Sequence, residues 1–348
     1  MVEVSGARFI AAKGGHYESW FLRGHHPTRP LAFWIRYTVT RFQKTGEVRA
    51  ERFGIYFDGE RKRHIAVRET EPIARCAFVP RGLDVSIGDS SLMANRAVGS
   101  VSMLGRPGER PSEGPGDRPS EGHEIRWDLR WEDGLGPILL LPERLYSGGF
   151  PKAKSLVIDA NVRFSGRLEV DDDIVDLDGW MGSVNHNWGS RHTDEYAWGQ
   201  VTGFDGEAST YLEVASARLR VGGMLTPAMT PIVLVYRGQR YAMNALHTVF
   251  GRASLHGLRW VFRARTREVD LVGVMSAKPI DVVTLDYLDP SGETKLCINT
   301  KLARCELRLV FGGEERRLVT SDGAAFEVFV DELGDAARLG ITGLPLSL

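Results

Sequence analysis

Three tryptophans, two histidines, two asparagines, an arginine and an Asp-Glu pair crowd into the 21 residues from Gly179 to Gly199. A buried strand would be mostly Val, Ile and Leu, and a solvated loop mostly Ser, Lys and Glu. This mixture suits the wall of a pocket. Trp180, Trp188, Trp198 and Tyr196 supply apolar faces that also attract positive charge, and the polar tips of Asn185, His186, Asn187, Arg191, His192, Asp194 and Glu195 can orient a ligand or move protons. The competing reading is a structural corner, in which Asn and His tips bond loop backbone and the indoles fill a core.

If the chain runs extended beyond Gly189, His192, Asp194, Tyr196 and Trp198 face one way and Arg191, Thr193 and Glu195 the other. His186, His192 and Asp194 are types that bind zinc or iron, but their spacing matches no strong metal motif, and no metal is expected. Acid-base chemistry against aromatic walls is the more economical reading: protonating or cyclising a carbon-carbon double bond needs a positioned acid, little water and faces that stabilise developing positive charge. Asp194 or Glu195, with His186 and His192, provide the groups. Glu18 is a further candidate acid, because strand periodicity puts it beside Trp20 and Leu22, where desolvation would raise its pKa; pairing with Arg23 or Arg36 is the alternative. No Gly-x-Ser-x-Gly, phosphate loop or dinucleotide fingerprint occurs in a suitable setting, which disfavours serine hydrolysis, phosphoryl transfer and nicotinamide chemistry. No redox cofactor is expected.

The elements around this stretch read as all-β. From His16 onward, short runs rich in aromatic and β-branched residues are broken by Gly, Pro and Asp about every ten residues. Strands are expected at His16 to Arg23, Leu31 to Phe42, Val48 to Phe57, His64 to Arg68, Arg96 to Leu104, Glu124 to Trp131, Leu156 to Ile158, Val162 to Val170, Trp198 to Phe204 and Ser209 to Arg220. About ten more short segments follow between Pro231 and Val330, and one short helix is expected at Asp331 to Leu339, closed by Gly340. Residues 105–122 hold a tandem duplication, Gly-Glu-Arg-Pro-Ser-Glu-Gly and Gly-Asp-Arg-Pro-Ser-Glu-Gly, without an apolar anchor, and read as a disordered surface loop. Gly222-Gly223 marks the expected boundary between domains at 1–222 and 223–348.

Composition narrows the partners. A net charge of -1 over 348 residues leaves no electrostatic footprint for nucleic acid. No run approaches the roughly 20 apolar residues of a membrane span and the N-terminus lacks a secretory pattern, so a cytoplasmic location is expected. Cys76, Cys297 and Cys305 are scattered and odd in number, pointing to reduced thiols.

Phe164-Ser165-Gly166-Arg167-Leu168, Gly179-Trp180, Asn185-His186-Asn187-Trp188-Gly189, Trp198-Gly199 and Phe204-Asp205-Gly206, with Glu18-Ser19-Trp20-Phe21-Leu22-Arg23 and Leu31 to Thr38 upstream, resemble the lipocalin-like superfamily. That group includes carotenoid 1,2-hydratase (hydroxyneurosporene synthase) and the AttH-type proteins, and more distantly tocopherol cyclase and the lipocalin-like Diels-Alderases. The resemblance implies two tandem lipocalin-like antiparallel β-barrels and a cavity for prenyl, polyene or polyketide molecules, with Trp20 and Trp34 joining the aromatic lining. It also implies a cyclase, isomerase or hydratase that needs no redox cofactor, acting as a monomer or homodimer on a lipophilic substrate; a non-catalytic carrier is the alternative. One position departs from the pattern: the hydratases carry an acidic residue just before the motif histidine, where this chain has Asn185. Asparagine cannot donate that proton, so hydration would need Asp194, Glu195 or Glu18 instead.

Overall fold

The computed structural model describes residues 3–103, 122–221, 224–245, 249–250, 252–331 and 333–341. The expected loop at 105–122, apart from Gly122, and the Gly222-Gly223 pair lie outside them. Two large antiparallel sheets, neither closed on itself, dominate the described residues, beside a two-stranded ribbon at Arg220–Val221 and Met224–Leu225 and one short helix. The first takes every strand up to Gly189, with His16–His25 between Leu31–Arg41 and Trp180–Gly189, and Ala153–Val170 on the far side of the latter. The second begins at Glu195–Phe204, which lies between Glu207–Arg218 and Glu314–Val330. Both Glu195–Phe204 and Glu207–Arg218 precede position 222, so the handover between sheets falls at 190–194, inside the expected first unit.

Alternation along each strand divides it between two apolar environments. Trp20 and Leu22 turn into a core inside the first sheet with Phe33, Tyr37, Trp127, Phe164, Trp180 and Val184. Val201, Leu212, Trp260, Phe262, Met275 and Phe326 fill a separate core inside the second. The opposite faces meet each other: Phe21, Trp34, Phe53 and Phe57 of the first sheet pack on Trp198, Leu285, Tyr287 and Phe329 of the second. Face-to-face packing explains why Phe21 to Arg23 and Ala32 to Val39 show so little hydrophobic alternation, since both faces of these strands are buried.

Several expected segments merge. Leu156 to Ile158 and Val162 to Val170 are one strand, Ala153–Val170, with register shifts beside Asn161, whose φ is +60°. The last two long strands, Thr294–Phe311 and Glu314–Val330, likewise each join two expected pieces across shifts between Thr300 and Cys305. Short strands at Cys76–Phe78, Asp84–Ile87 and Ser90–Met93 extend the first sheet without a strong sequence signal. The helix spans Leu333–Arg338, and Gly340 closes it with φ of +77°.

Two glycines are required where the central strands cross the aromatic core. Gly24 and Gly182 pair across strands, and a Cβ on Gly182 would stand 2.0 Å from the Arg23 carbonyl oxygen and 2.5 Å from the Phe164 ring. A Cβ on Gly24 would meet the Phe33 ring at 2.5 Å. The absent side chains let the edge-to-face pair Phe33 and Phe164 lie against the backbone. Gly182→Ala is therefore expected to cost about 2 kcal/mol through overpacking, read as a lower urea midpoint with unchanged slope; an unshifted midpoint would show that the backbone yields freely.

Candidate functional site

The aromatic stretch is a central strand followed by a bend, and pleating sends its polar residues in opposite directions. Even positions Trp180, Val184 and His186 turn into the first sheet's interior and Trp188 into a small cluster with Tyr146 and Leu156, whereas Ser183 and Asn185 turn toward the second sheet. Asn185 and His186 therefore do not act on one molecule from one side. Three separate groupings result.

The first is a closed acid-base pair. His186 Nε2 lies 2.8 Å from Glu18 Oε1, and the imidazole stacks on Trp20 at 4.8 Å. The same carboxylate accepts the backbone N–H groups of Arg8 at 2.9 Å and Phe9 at 2.6 Å, and His16 Nε2 stands 3.6 Å away. His186 Nδ1 is 2.8 Å from the Val4 carbonyl, the Trp20 indole donates to Ser5 O at 2.9 Å, and the Arg8 guanidinium covers the Trp188 ring at 3.6 Å. Residues 4–9 thus fold over the end of the first sheet's interior and cover it, with Ala7 and Phe9 joining the core. Burial works to raise the Glu18 pKa, as expected from sequence, but the nearby His16 ring and the hydrogen bonds from His186 and the Arg8 amide prevail and hold it at about 2. Neither Arg23 nor Arg36 is its partner: Arg23 bonds Gln200, and Arg36 bonds Ser19. Burial pulls His186 below its ordinary pKa against the attraction of Glu18. Both ring nitrogens are engaged, so this pair anchors the N-terminal segment.

The second grouping is a polar network between the sheets. Gln200 Nε2 is 2.9 Å from Asn185 Oδ1, 3.0 Å from the Tyr211 hydroxyl and 2.9 Å from Glu213 Oε2, while its carbonyl oxygen accepts from Arg23 Nε at 2.9 Å and Ser183 at 2.6 Å. Asn185 Nδ2 donates to Ser183 Oγ at 2.9 Å, and Trp198 Nε1 to Glu213 Oε1 at 2.7 Å. Burial lifts the Glu213 pKa, opposed by donors including Tyr211 and Trp198. Asn185 and Trp198 are consumed by these bonds. Nearby, Trp34 packs between the sheets with the Lys301 ammonium 5.5 Å from its ring.

The third grouping is open. At the 190–194 bend, where the chain passes from one sheet to the other, a cleft of about 360 Å³ is lined by Leu141, Leu145, Phe150, Ala153, Ala217, Leu219, Met229, Pro231 and Val249, with Arg191, His192 and Asp194 among the polar contributors. Asp194 accepts Arg191 Nη2 at 2.8 Å and the Arg220 amide at 2.8 Å. The His192 ring stacks on Tyr17 at 3.8 Å, and its amide donates to Asp289 at 2.7 Å. Burial drives the His192 pKa down to about 3, with Asp289 opposing. The ring is neutral at physiological pH.

The remaining expected residues fall elsewhere. Glu195 pairs with Arg218 at 3.3 Å and with Arg338, Tyr196 stacks on Phe329 at 4.8 Å, and Trp180 lies deep in the first core. Asn187 is half-buried with its Oδ1 lacking a hydrogen-bond partner. His186, His192 and Asp194 do not converge, and among the described residues no group of three His, Cys, Asp or Glu side chains is placed to hold a metal. Gln200, Tyr211, Glu213, Lys301 and Glu327 were not singled out from sequence. Their signal was a polar residue inside an apolar run, as in Gly199-Gln200-Val201 and Leu212-Glu213-Val214, which reads equally well as an outward-facing position.

No protein-family model matches the chain. An uncharacterised protein of Mycobacterium tuberculosis, found in two strains, is 26% identical over 188 residues, which are 53% of this chain and 56% of the relative. The chain therefore spans a little over half the length of the curated relatives it matches. Among solved structures, an AttH-like protein from Nitrosomonas europaea superposes with a TM-score of 0.56 at 13% identity, covering 95% of this chain and 98% of that one. Kievitone hydratase from Nectria haematococca superposes with a TM-score of 0.51 at 9% identity, covering 94% and 96%. At these identities the likeness establishes the fold: over nearly its whole length, this chain is built on the lipocalin-like β architecture of an AttH-like protein and a hydratase.

Proposed function

We propose that the protein is an enzyme of the hydratase or isomerase kind, which takes a hydrophobic unsaturated small molecule into the cleft at the sheet junction and works on it by acid-base chemistry without a redox cofactor. The observation that carries this reading is the cleft itself, an apolar space with a neutral imidazole and a paired carboxylate among its lining residues. His192 is uncharged; burial makes it a weak base, and Asp289, which opposes that shift, is the group that would steady the imidazolium formed when it takes a proton. Asp194 is held by Arg191 and a backbone amide, an arrangement suited to orienting a ligand. This chemistry starts by removing a proton beside a conjugated system; protonating an isolated alkene would need an acid that Asn185 does not provide. The hydratase among the structural neighbours favours the same class. A carrier without turnover is the second reading, favoured by the internal partners that Arg191, Asp194 and Asn244 already have.

The test begins with native mass spectrometry of protein from its source extract, to identify a copurifying lipophilic compound, which is then incubated with fresh protein. His192→Phe preserves the stack on Tyr17 and is expected to lower turnover by about 10²–10⁴-fold with little change in affinity. Ala217→Trp, which fills the cleft, is expected to abolish binding. Tight binding with no conversion by the native protein would select the carrier, and full turnover in His192→Phe would remove that imidazole from the reaction.

A further inference from the structure

The Phe204-Asp205-Gly206 motif plays no part in the junction cleft. It lines a separate cavity of about 490 Å³, which shares no lining residue with the cleft. The two lie toward opposite ends of the same central strands: the cavity is at His25, Met181 and Phe204, whereas the cleft is where the chain passes from Gly189 to Glu195. Both sheets contribute to the cavity, the first through His25 and Met181 and the second through Phe204 to Gly206 and Thr320 to Gly323.

His25 forms the floor and is only 7% exposed. Arg23 Nη1 stands 3.3 Å from His25 Nδ1, and a guanidinium can only donate, so Nδ1 keeps its lone pair and Nε2 carries the proton. Burial, with the Arg23 charge, pulls the ring's pKa down to about 3 and keeps it neutral. Nε2 has no hydrogen-bond partner among the described residues. Unlike the indole nitrogens of Trp34 and Trp260, it is not sealed from solvent. Gly323, itself a lining residue, leaves it uncovered, since a Cβ there would stand 2.9 Å from Nε2. The N–H is therefore presented to the cavity.

The walls carry the opposite capacity. Asp205 and Asp322 both line the cavity, and neither is ion-paired within the described residues; the Ser321 hydroxyl is 3.5 Å from Asp205 Oδ2. Burial pushes the Asp322 carboxyl above its ordinary pKa, and repulsion from Asp281 and Asp205 adds to this against Lys278 and Arg304. Two neighbouring carboxylates disfavour an anion. Arg23, fully buried behind the His25 ring and bonded to Gln200 and the Gly323 carbonyl, disfavours a cation at the floor. A hydroxyl both accepts and donates, so one hydroxyl meets the floor N–H and its neighbours meet the carboxylates. We propose that this cavity is a binding site for a small neutral polyol, one hydroxyl of which accepts the His25 Nε2–H while others donate to Asp205 and Asp322.

The test follows the ring nitrogens of His25 by NMR in the full chain labelled with ¹³C and ¹⁵N, assigned through bonds to the His25 backbone. Glycerol, myo-inositol and methyl α-D-glucopyranoside are titrated, with choline and acetate as charged comparisons. At least one polyol is expected to move the Nε2 resonance with a Kd of about 1 mM or below, and to bind about tenfold more tightly than either ion. Asp322→Asn, at a half-buried position, is expected to weaken that polyol about tenfold by removing a charged acceptor. His25 does not line the junction cleft, so this signal does not report on binding there. An Nε2 resonance unmoved by all three polyols at about 10 mM means that only water fills the cavity and overturns the proposal. Tighter binding of choline or acetate, or unchanged polyol affinity in folded Asp322→Asn, overturns it too. The native protein answers the first two points whether or not the variant folds.

Discussion

Lys301→Met is expected to destabilise the protein by about 3–5 kcal/mol, the largest single effect anticipated here. The Lys301 ammonium is fully buried, 2.7 Å from Glu327 Oε1 and 2.7 Å from Asn299 Oδ1. It also stands 5.5 Å from the Trp34 ring of the first sheet and 5.4 Å from the Trp198 ring of the second, which places it in the seam where the sheets dock. Methionine keeps the volume and removes the charge, leaving Glu327 as a buried carboxylate without its cation. The pair itself need not stabilise the fold, because desolvating two charges consumes most of their attraction; the loss comes from breaking it. For that reason Lys301→Met with Glu327→Gln is expected to recover most of the deficit. Urea unfolding of the single and double variants measures both quantities. A single variant within about 1 kcal/mol of the native protein would mean that water or another cation reaches Glu327.

Glu18→Gln is expected to cost about 3 kcal/mol at neutral pH and to loosen the N-terminal segment. Glu18 is held at about 2 in the folded chain, against an ordinary value near 4.5. Its folded pKa is lowered, so the stabilisation is fully present above about pH 4.5 and is lost as the pH falls toward 2, a difference of about 3 kcal/mol by linkage. The native protein should therefore show a steep acid limb between about pH 4.5 and 2, and the variant a shallower one starting from lower stability. Because the amides of Arg8 and Phe9 and the ring of His186 converge on this carboxylate, hydrogen exchange at residues 8 and 9 should accelerate in the variant more than exchange in Trp180–Gly189. Superimposable acid limbs would assign the pH dependence to other carboxylates. Uniform acceleration across both regions would show that Glu18 supports the whole sheet rather than the segment that covers it.

These two sites also show where sequence reasoning stops. Alternation along the first strand put Glu18 on one face with Trp20 and Leu22, and the structure has all three on that face, because a strand's side chains alternate whatever surrounds them. Faces are local. Partners are not: the His186 that meets Glu18 lies 168 positions away, and the amides of residues 8 and 9 come from a segment with no sequence signal for folding inward. The direction of the Glu18 pKa followed from those partners, so an argument from desolvation alone gave the wrong sign. Lys301 was passed over for a related reason. A lysine in a strand reads as a solvated position, and its burial became evident only once the outer faces of both sheets were found packed together.

By itself, the sequence determined that this protein is β throughout, that Gly340 ends its one described α-helix, and that the residues around Asn185 to Gly189 belong to a lipocalin-like fold. Strand periodicity, turn residues and local motifs are properties of neighbouring positions, and they survive without knowledge of the rest of the chain. Only the tertiary structure decided that Asn185 and His186 serve different environments, that the sheets change over at 190–194, and that the open cleft takes Arg191, His192 and Asp194 but not the histidine of the motif. Those outcomes rest on which sheet each strand joins and which faces are covered, and contacts between residues far apart in sequence set both.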